Sequence, residues 1–288
     1  VTDEVIVRLE ATQDPRLREI MQAAVRHLHA FAAEVRLTDE EWFAGIGFLT
    51  ATGHMCDEVR QEFILLSDTL GLSTLVDAMN HSHVEELHAP GAATASTILG
   101  PFYVPDSPWR ENGESMVEFD CGGEPSLLRG RVLDQQGNPV AGAVLDAWQN
   151  AANMFYAVQQ PEVQPPTNLR GRYRTDDQGC YEIRSVRPTD YPIPADGPVG
   201  GLLRATGRHE WRAAHMHLKV SAEGFVPLTT HVFDDQSAFL RTDTVFGVKE
   251  SLIGEFVLDE DGMRVCDFST SSWLAVSRER VRPGEPSE

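Results

Sequence analysis

The sequence is short of positive charge, cysteine and long apolar runs, and each shortage removes a class of protein. Lysine and arginine total 24 against 44 acidic residues, a formal charge of −20. A nucleic acid or an anionic membrane surface would be repelled at long range, so no nucleic-acid partner is expected. The four cysteines, Cys56, Cys121, Cys180 and Cys266, are scattered without a C-x-x-C pair, and 288 residues suffice to bury a core without a disulfide framework. Reduced thiols and a cytoplasmic location are the expectation. Nothing approaches the about 18 consecutive apolar residues of a membrane span. The opening "VTDEVIVRLEATQDPRL" also lacks the basic head and apolar run of a secretion signal. H-E-x-x-H, internal repeats and low-complexity tracts are missing as well.

What is present falls into two grammars. From Pro15, Leu17, Ile20, Met21, Ala24, Leu28, Phe31 and Val35 recur mostly at three- and four-residue steps, the stripe of an amphipathic helix started by Asp14. Thr38 with Glu41 makes a capping box that opens a second helix, "TDEEWFAGIGFLTA". A third is expected through "DEVRQEFILLSDTLG" and a short one from Ser73 to Asn80. After residue 90 the pattern alternates: "SLLRGRVLDQQGNPVAGAVLDAWQN" and "RGRYRTDDQGCYEIRSV" read as hairpins around turn residues. The expected fold is therefore mixed and mainly β, an α-helical region at 1–90 followed by an antiparallel β-sandwich at 91–288. Two proline-studded loops, "QQPEVQPPTN" and "RPTDYPIPADGPVGG", interrupt the sandwich, and loops that long tend to carry function. The tail "RERVRPGEPSE" reads as mobile.

H-x-H occurs three times. His27 and His29 lie on a helix, where positions two apart diverge. His81, His83 and His88 read as a solvated connection, although they could gather round a metal. In "RAAHMHLKV", His215 and His217 lie on a strand, where residues two apart share a face. Both can reach one ion, or they can form an ordinary polar strand edge. Of only five tyrosines, Tyr156 and Tyr191 stand where strands give way to the long loops. Phenolate oxygen is a hard donor suited to a ferric ion, so two phenolates with two imidazoles would make an Fe(III) site. Spacing alone does not select these two, and Tyr173 and Tyr181 read as packing residues.

"ILGPFYVPDSP", "GRVLDQQGNPVAGAVLDAWQ" running on to "MFYAVQ", "SVRPTDYPIPADGP", "GRHEWRAAHMHLKVSAEGF" and "LTTHVF" occur in one order across most of residues 60 to 260. Together they resemble the intradiol ring-cleaving dioxygenases of the catechol 1,2-dioxygenase type. That resemblance implies a mononuclear, non-haem Fe(III) ligated by Tyr156, Tyr191, His215 and His217. It also implies a small aromatic diol or triol and O2 as reactants, and a homodimer formed through the N-terminal helices, with a phospholipid at the interface as a feature of some relatives. "FYAVQQPE", "YPIPADGPVGGLL", His231 and "TDTVFGVKESL" are most similar to the hydroxyquinol-cleaving branch, with the chlorocatechol and catechol enzymes as neighbours. Met154 departs from the glycine common just ahead of the first tyrosine ligand, which bears on the shape of that loop.

The resemblance also suggests roles. Tyr191 leaves the metal as substrate binds and takes up a proton, serving as ligand and base. Arg212 stabilises negative charge on the substrate, unless it is an ordinary surface ion pair. His231 orients substrate or is a satisfied structural histidine. The pocket wall falls on Asp77, Ile98, Pro101, Phe102 and Val245, and Asp77 either accepts a hydrogen bond from a third ring hydroxyl or lies on a helix surface. Two other classes stay open on fold alone: a transthyretin-like binding module, and a zinc hydrolase using the two histidines.

Overall fold

Asp14 caps the first long helix as expected, its carboxylate accepting from the backbone N–H groups of Arg16 and Leu17, with Pro15 in the first turn. The computed structural model of the chain describes residues 1–58, 60–81, 93–271 and 273–274. His83, His88 and the C-terminal tail lie outside the described residues. Helices α1 (Thr2–Leu9), α2 (Pro15–Glu34) and α3 (Asp39–His54) make up a compact unit, Val1–His54. The capping box is present: Glu41 Oε2 accepts from Thr38 N and Oγ1, and Thr38 Oγ1 accepts from Glu41 N. Thr52 is the one buried residue of this unit. Leu17, Leu28, Phe31, Trp42, Phe43 and Ile46 are 46% to 65% exposed. No helix among the described residues is long and apolar enough to cross a membrane.

The second unit runs from Met55 to Glu288. Its first helices are α4 (Glu62–Thr69) and α5 (Leu72–His81). The helix expected from residue 57 starts only at Glu62. Asp57 instead closes a turn by accepting from Arg60 N, and the buried Glu62 carboxylate is held by the Arg60 guanidinium and by Val199 N. α4 and α5 thus belong to the same compact unit as the sheets.

The strands, in chain order, are β1 (Pro125–Leu133), β2 (Val144–Trp148), β3 (Arg170–Arg174), β4 (Cys180–Val186) and β5 (Tyr191–Pro192). After helix α6 (Pro198–Ala205) come β6 (Trp211–Arg212), β7 (His215–Ser221), β8 (Phe225–Val226), β9 (Leu228–Asp234) and β10 (Ile253–Gly254). The last are β11 (Val257–Leu258), β12 (Arg264–Asp267), β13 (Thr270–Ser271) and β14 (Trp273–Leu274). One five-stranded sheet runs β11-β12-β1-β13 with β4 also on β1, and the other runs β10-β9-β7-β2-β3. Pairing is antiparallel except for β1 with β12 and β13 and β9 with β10.

Both expected hairpins are corrected. β1 and β2 belong to opposite sheets, as do β3 and β4. The turns close locally, with Asp134 accepting from Gln136 N and Asn138 N, and Asp176 accepting from Gln178 N and Cys180 N. Beyond the first tip only Val140 N still pairs back, to Val132 O, before Gly142 at φ +70° lets the chain cross to the other sheet. Alternating patterning reports that a strand has a buried face, not which strand is its partner.

Met216, Leu218 and Val220 of β7 join Leu145 and Ala147 of β2 and Val232 of β9 in the main core with Leu128, Tyr181 and Ile183 of the facing sheet. With a period of two, His215 and His217 must then project from the opposite face of their sheet. That face is covered as well, because both imidazoles are buried.

Candidate active site

The register of three strands builds the floor of the site. Trp148 of β2, His217 of β7 and His231 of β9 lie abreast, and the Trp148 ring stacks on His217 at 4.5 Å with 10° between planes. His231 stacks on His215 at 4.5 Å. Tyr191 in β5 lies directly opposite Arg212 in β6. Tyr156 precedes a short 3-10 turn and is anchored when Gln159 Oε1 reaches back to accept from its backbone N–H at 2.9 Å. Met154, two residues earlier, holds φ at +72°, the conformation glycine adopts without strain.

Four donor atoms converge. Tyr156 Oη lies 2.9 Å from His217 Nε2 and 3.4 Å from Tyr191 Oη, and His217 Nε2 lies 3.1 Å from His215 Nε2. His215 Nδ1 is 2.6 Å from the Ala213 carbonyl. A carbonyl can only accept, so Nδ1 carries the proton and Nε2 presents a lone pair to the cluster. Burial, reinforced by the Arg212 charge, holds His215 well below the usual histidine range, and burial with neighbouring His231, His215 and Arg212 does the same to His217. The Tyr156 phenol is pushed well above its ordinary value by burial and by Tyr191 beside it. Two dry imidazoles with nitrogens 3.1 Å apart, next to two phenol oxygens, are a donor set that a hard cation would satisfy.

Arg212 is no surface residue. It is 2% exposed, with Nη1 3.3 Å from Tyr191 Oη and 3.3 Å from His215 Nε2. Burial alone would depress the guanidinium, but the Asp243 carboxylate, with Tyr191 and Tyr156 beside it, outweighs that and raises Arg212. Asp243 accepts from Arg212 Nε at 3.1 Å and Nη2 at 3.4 Å, and from Gly247 N at 2.8 Å. His231 is buried and neither ring nitrogen makes a hydrogen bond of ordinary geometry, although the Ile98 backbone is near enough to favour its protonated form slightly. Its imidazole too is held well below the usual range, first by burial and then by His215 and Arg212.

The pocket residues divide. Asp77 and Ile98 line a cavity of about 650 Å³, together with Asp68, Ser73, Thr97 and Gly100. Gly100 ties it to the donor cluster, since a Cβ there would sit 3.4 Å from the His217 ring. Pro101 and Phe102 line a separate cavity of about 290 Å³, and Phe102 stacks on Tyr156 at 4.7 Å. Val245 is buried, lines neither, and its carbonyl accepts from Thr74 Oγ1. Asp77 is not a free surface carboxylate: Oδ2 accepts from Ser96 Oγ at 3.0 Å and Lys249 Nζ at 3.3 Å. Of the competing motifs, His29 bonds Thr2 at the helical surface, and Tyr173 and Tyr181 are core residues whose hydroxyls donate to the carbonyls of Glu114 and Phe268.

Residues 98–274 match the family described as Dioxygenase, and residues 14–88 match the Catechol dioxygenase N terminus. The chain belongs to the intradiol ring-cleavage dioxygenases. It is therefore an oxidoreductase, and its expected rivals, a plain sandwich module and a zinc hydrolase, drop away. A hydroxyquinol 1,2-dioxygenase of Rhizobium sp. is 50% identical over 262 residues, covering 91% of this chain and 86% of the relative. A 6-chlorohydroxyquinol 1,2-dioxygenase of Cupriavidus pinatubonensis is 47% identical, covering 93% and 94%. The crystal structure of hydroxyquinol 1,2-dioxygenase from Pseudomonas putida superposes with a TM-score of 0.86 at 48% identity, covering 95% and 97%.

Sequence reasoning missed the parts of this dioxygenase that hold the four converging side chains still. Asp243, Trp148, Gly100 and Arg170 stand in stretches quoted above, but no role was read for them. Arg170 is 2% exposed, donates to the Phe102 carbonyl at 2.7 Å and sits across from Trp148 in the β2–β3 register. It thereby braces the residues whose rings lie on Tyr156 and His217.

Proposed function

We propose that this dioxygenase cleaves hydroxyquinol (benzene-1,2,4-triol) with O2 between its vicinal hydroxyls, giving 3-hydroxy-cis,cis-muconate or its tautomer maleylacetate in the breakdown of aromatic compounds. Tyr156, Tyr191, His215 and His217 hold a single non-haem Fe(III). The observation that carries this reading is the buried convergence of two phenol oxygens and two imidazole nitrogens, with contacts of 2.9 to 3.4 Å. Bound there, ferric iron supplies the Lewis acidity that makes both diol protons removable near neutral pH and an electron acceptor that readies the ring for O2.

The residues do the rest. Tyr191, with its oxygen against Arg212 Nη1, would both help hold the iron and take up a substrate proton at Oη. His215, its Nδ1 proton fixed on Ala213 O, stays a neutral nitrogen donor. Arg212 keeps its charge at every working pH because Asp243 accompanies it, and faces negative charge arising on the diol oxygens. His231 and Trp148 fix the imidazoles from two sides, and Phe102 closes over Tyr156, excluding water. Asp77, Ile98, Pro101, Phe102 and Val245 shape the substrate side, with Asp77 accepting from the third hydroxyl. Four free thiols fit a reducing, cytoplasmic setting.

We assign the uncovered stripe of α2 and α3 to a second copy of the chain, with a phospholipid at that interface. Replacing Leu28 and Phe31 together by glutamate should give a monomer in sedimentation at micromolar concentration, and an unchanged dimer removes this part.

Purified protein should be red-brown from tyrosinate-to-iron charge transfer, and hydroxyquinol should exceed catechol and chlorocatechols in kcat/KM. A colourless, iron-free, folded protein, or products cleaved outside the diol, would overturn the assignment.

A further inference from the structure

Asp68 takes no part in the chemistry above, yet it occupies the same cavity. It sits near the end of α4, 3% exposed, on the wall of the 650 Å³ space that Asp77, Ile98 and Gly100 also line. Its polar neighbours are the Ser73 hydroxyl, itself bonded to Ser67 at 2.9 Å, and, more distantly, the Arg212 guanidinium and the Asp243 carboxylate. Arg212 is already held by Asp243, and Asp77 by Lys249 and Ser96. A buried carboxyl without an ion-pair partner of its own, on the wall of a substrate cavity, is costly unless something in the cavity uses it.

We propose that Asp68 is a specificity-determining residue that donates a hydrogen bond to the ring oxygen hydroxyquinol has and catechol lacks, while Asp77 accepts that oxygen's proton. This rests on the hydroxyquinol reading. A hydroxyl needs both a donor and an acceptor to be fully paired. Lys249 Nζ lies 3.3 Å from Asp77 Oδ2 and pairs with it. Asp68 is 3% exposed, and its burial, helped by Asp243 and opposed by Ser73 and Arg212, raises its carboxyl and so favours the protonated, donating form. The wall thus offers one donor and one acceptor, and a substrate lacking the third oxygen gives up the hydrogen bond from Asp68.

Steady-state kinetics of Asp68→Leu and Asp68→Asn on hydroxyquinol and catechol test this. Asp68→Leu should lower the hydroxyquinol-to-catechol ratio of kcat/KM by about tenfold or more through KM, with catechol turnover retained. Asp68→Asn, which keeps a donor, should hold the ratio within about threefold. An unchanged ratio in Asp68→Leu, an equal loss on both substrates, or an Asn variant as impaired as Leu overturns the proposal. The unmodified enzyme gives a second test that no folding defect can obscure. It should bind 4-methoxycatechol anaerobically at least about fivefold more tightly than 4-ethylcatechol, and equal binding overturns the donor role. If the unmodified enzyme shows no preference for hydroxyquinol over catechol, the substrate reading itself has failed, which is a different result from either.

Discussion

Arg212 can carry a full charge into a dry interior only because Asp243 goes with it. Both side chains are 3% exposed or less, and two guanidinium nitrogens meet the two carboxylate oxygens. Asp243→Ala would strand the cation, a change that costs about 3–5 kcal/mol in buried pairs. The urea midpoint should fall accordingly, and replacing both residues by leucine should recover most of the stability without recovering turnover. Met154 offers the opposite case. At φ +72° and 40% exposed, it bears a left-handed backbone with little packing in return. Met154→Gly should therefore raise stability by up to about 1 kcal/mol, read as a higher thermal midpoint. A lower midpoint would mean that the methionine side chain holds the loop before Tyr156.

Among the elements, β1 carries the heaviest constraint. β12 and β13 pair parallel to it in succession, and Phe268 between them donates its N–H to Arg129 O. A Cβ on Gly130 would lie 2.0 Å from the Phe268 carbonyl oxygen, so backbone crosses backbone there. Gly130→Ala should destabilise by at least about 2 kcal/mol in denaturant titration; a neutral result would mean that the 267–270 connection can move aside. Helix starts were legible because Asp14 and the Thr38–Glu41 pair act within one turn of themselves. The outward face of His215 and His217 was legible because a strand's period is local. Strand partners were not, since the residues that send β2 and β4 across to other sheets look like ordinary hairpin tips. For the same reason Arg212 was readable three residues before His215. Asp243, 31 residues away among 44 acidic residues, was not.

At the scale of the whole molecule, the site makes stability depend on pH. His215, His217 and His231 are all buried and held well below the usual histidine range, first by that burial and then by one another and Arg212. In the unfolded chain each takes a proton near pH 6.5. Below that pH the unfolded state binds protons the folded state refuses, so stability present above about 6.5 is lost as pH falls, by up to about 1.4 kcal/mol per pH unit for each histidine. Asp68 and Asp146, raised chiefly by burial, act in the other sense: the folded state keeps protons that the unfolded chain releases above about pH 4. Three histidines against two carboxyls leave a net loss on acidification. Easing of the −20 charge would mask part of it at low ionic strength. Chelator-treated protein in about 0.5 M salt, where surface charges are screened, should therefore lose about 2–4 kcal/mol between pH 7 and pH 5.5 in urea titrations. Iron-loaded protein should lose more over the same interval, because protons also compete with the metal for the ligands. A flat profile in the chelated protein would show that the imidazoles bind protons inside the fold, against the dry, neutral cluster on which the metal assignment stands.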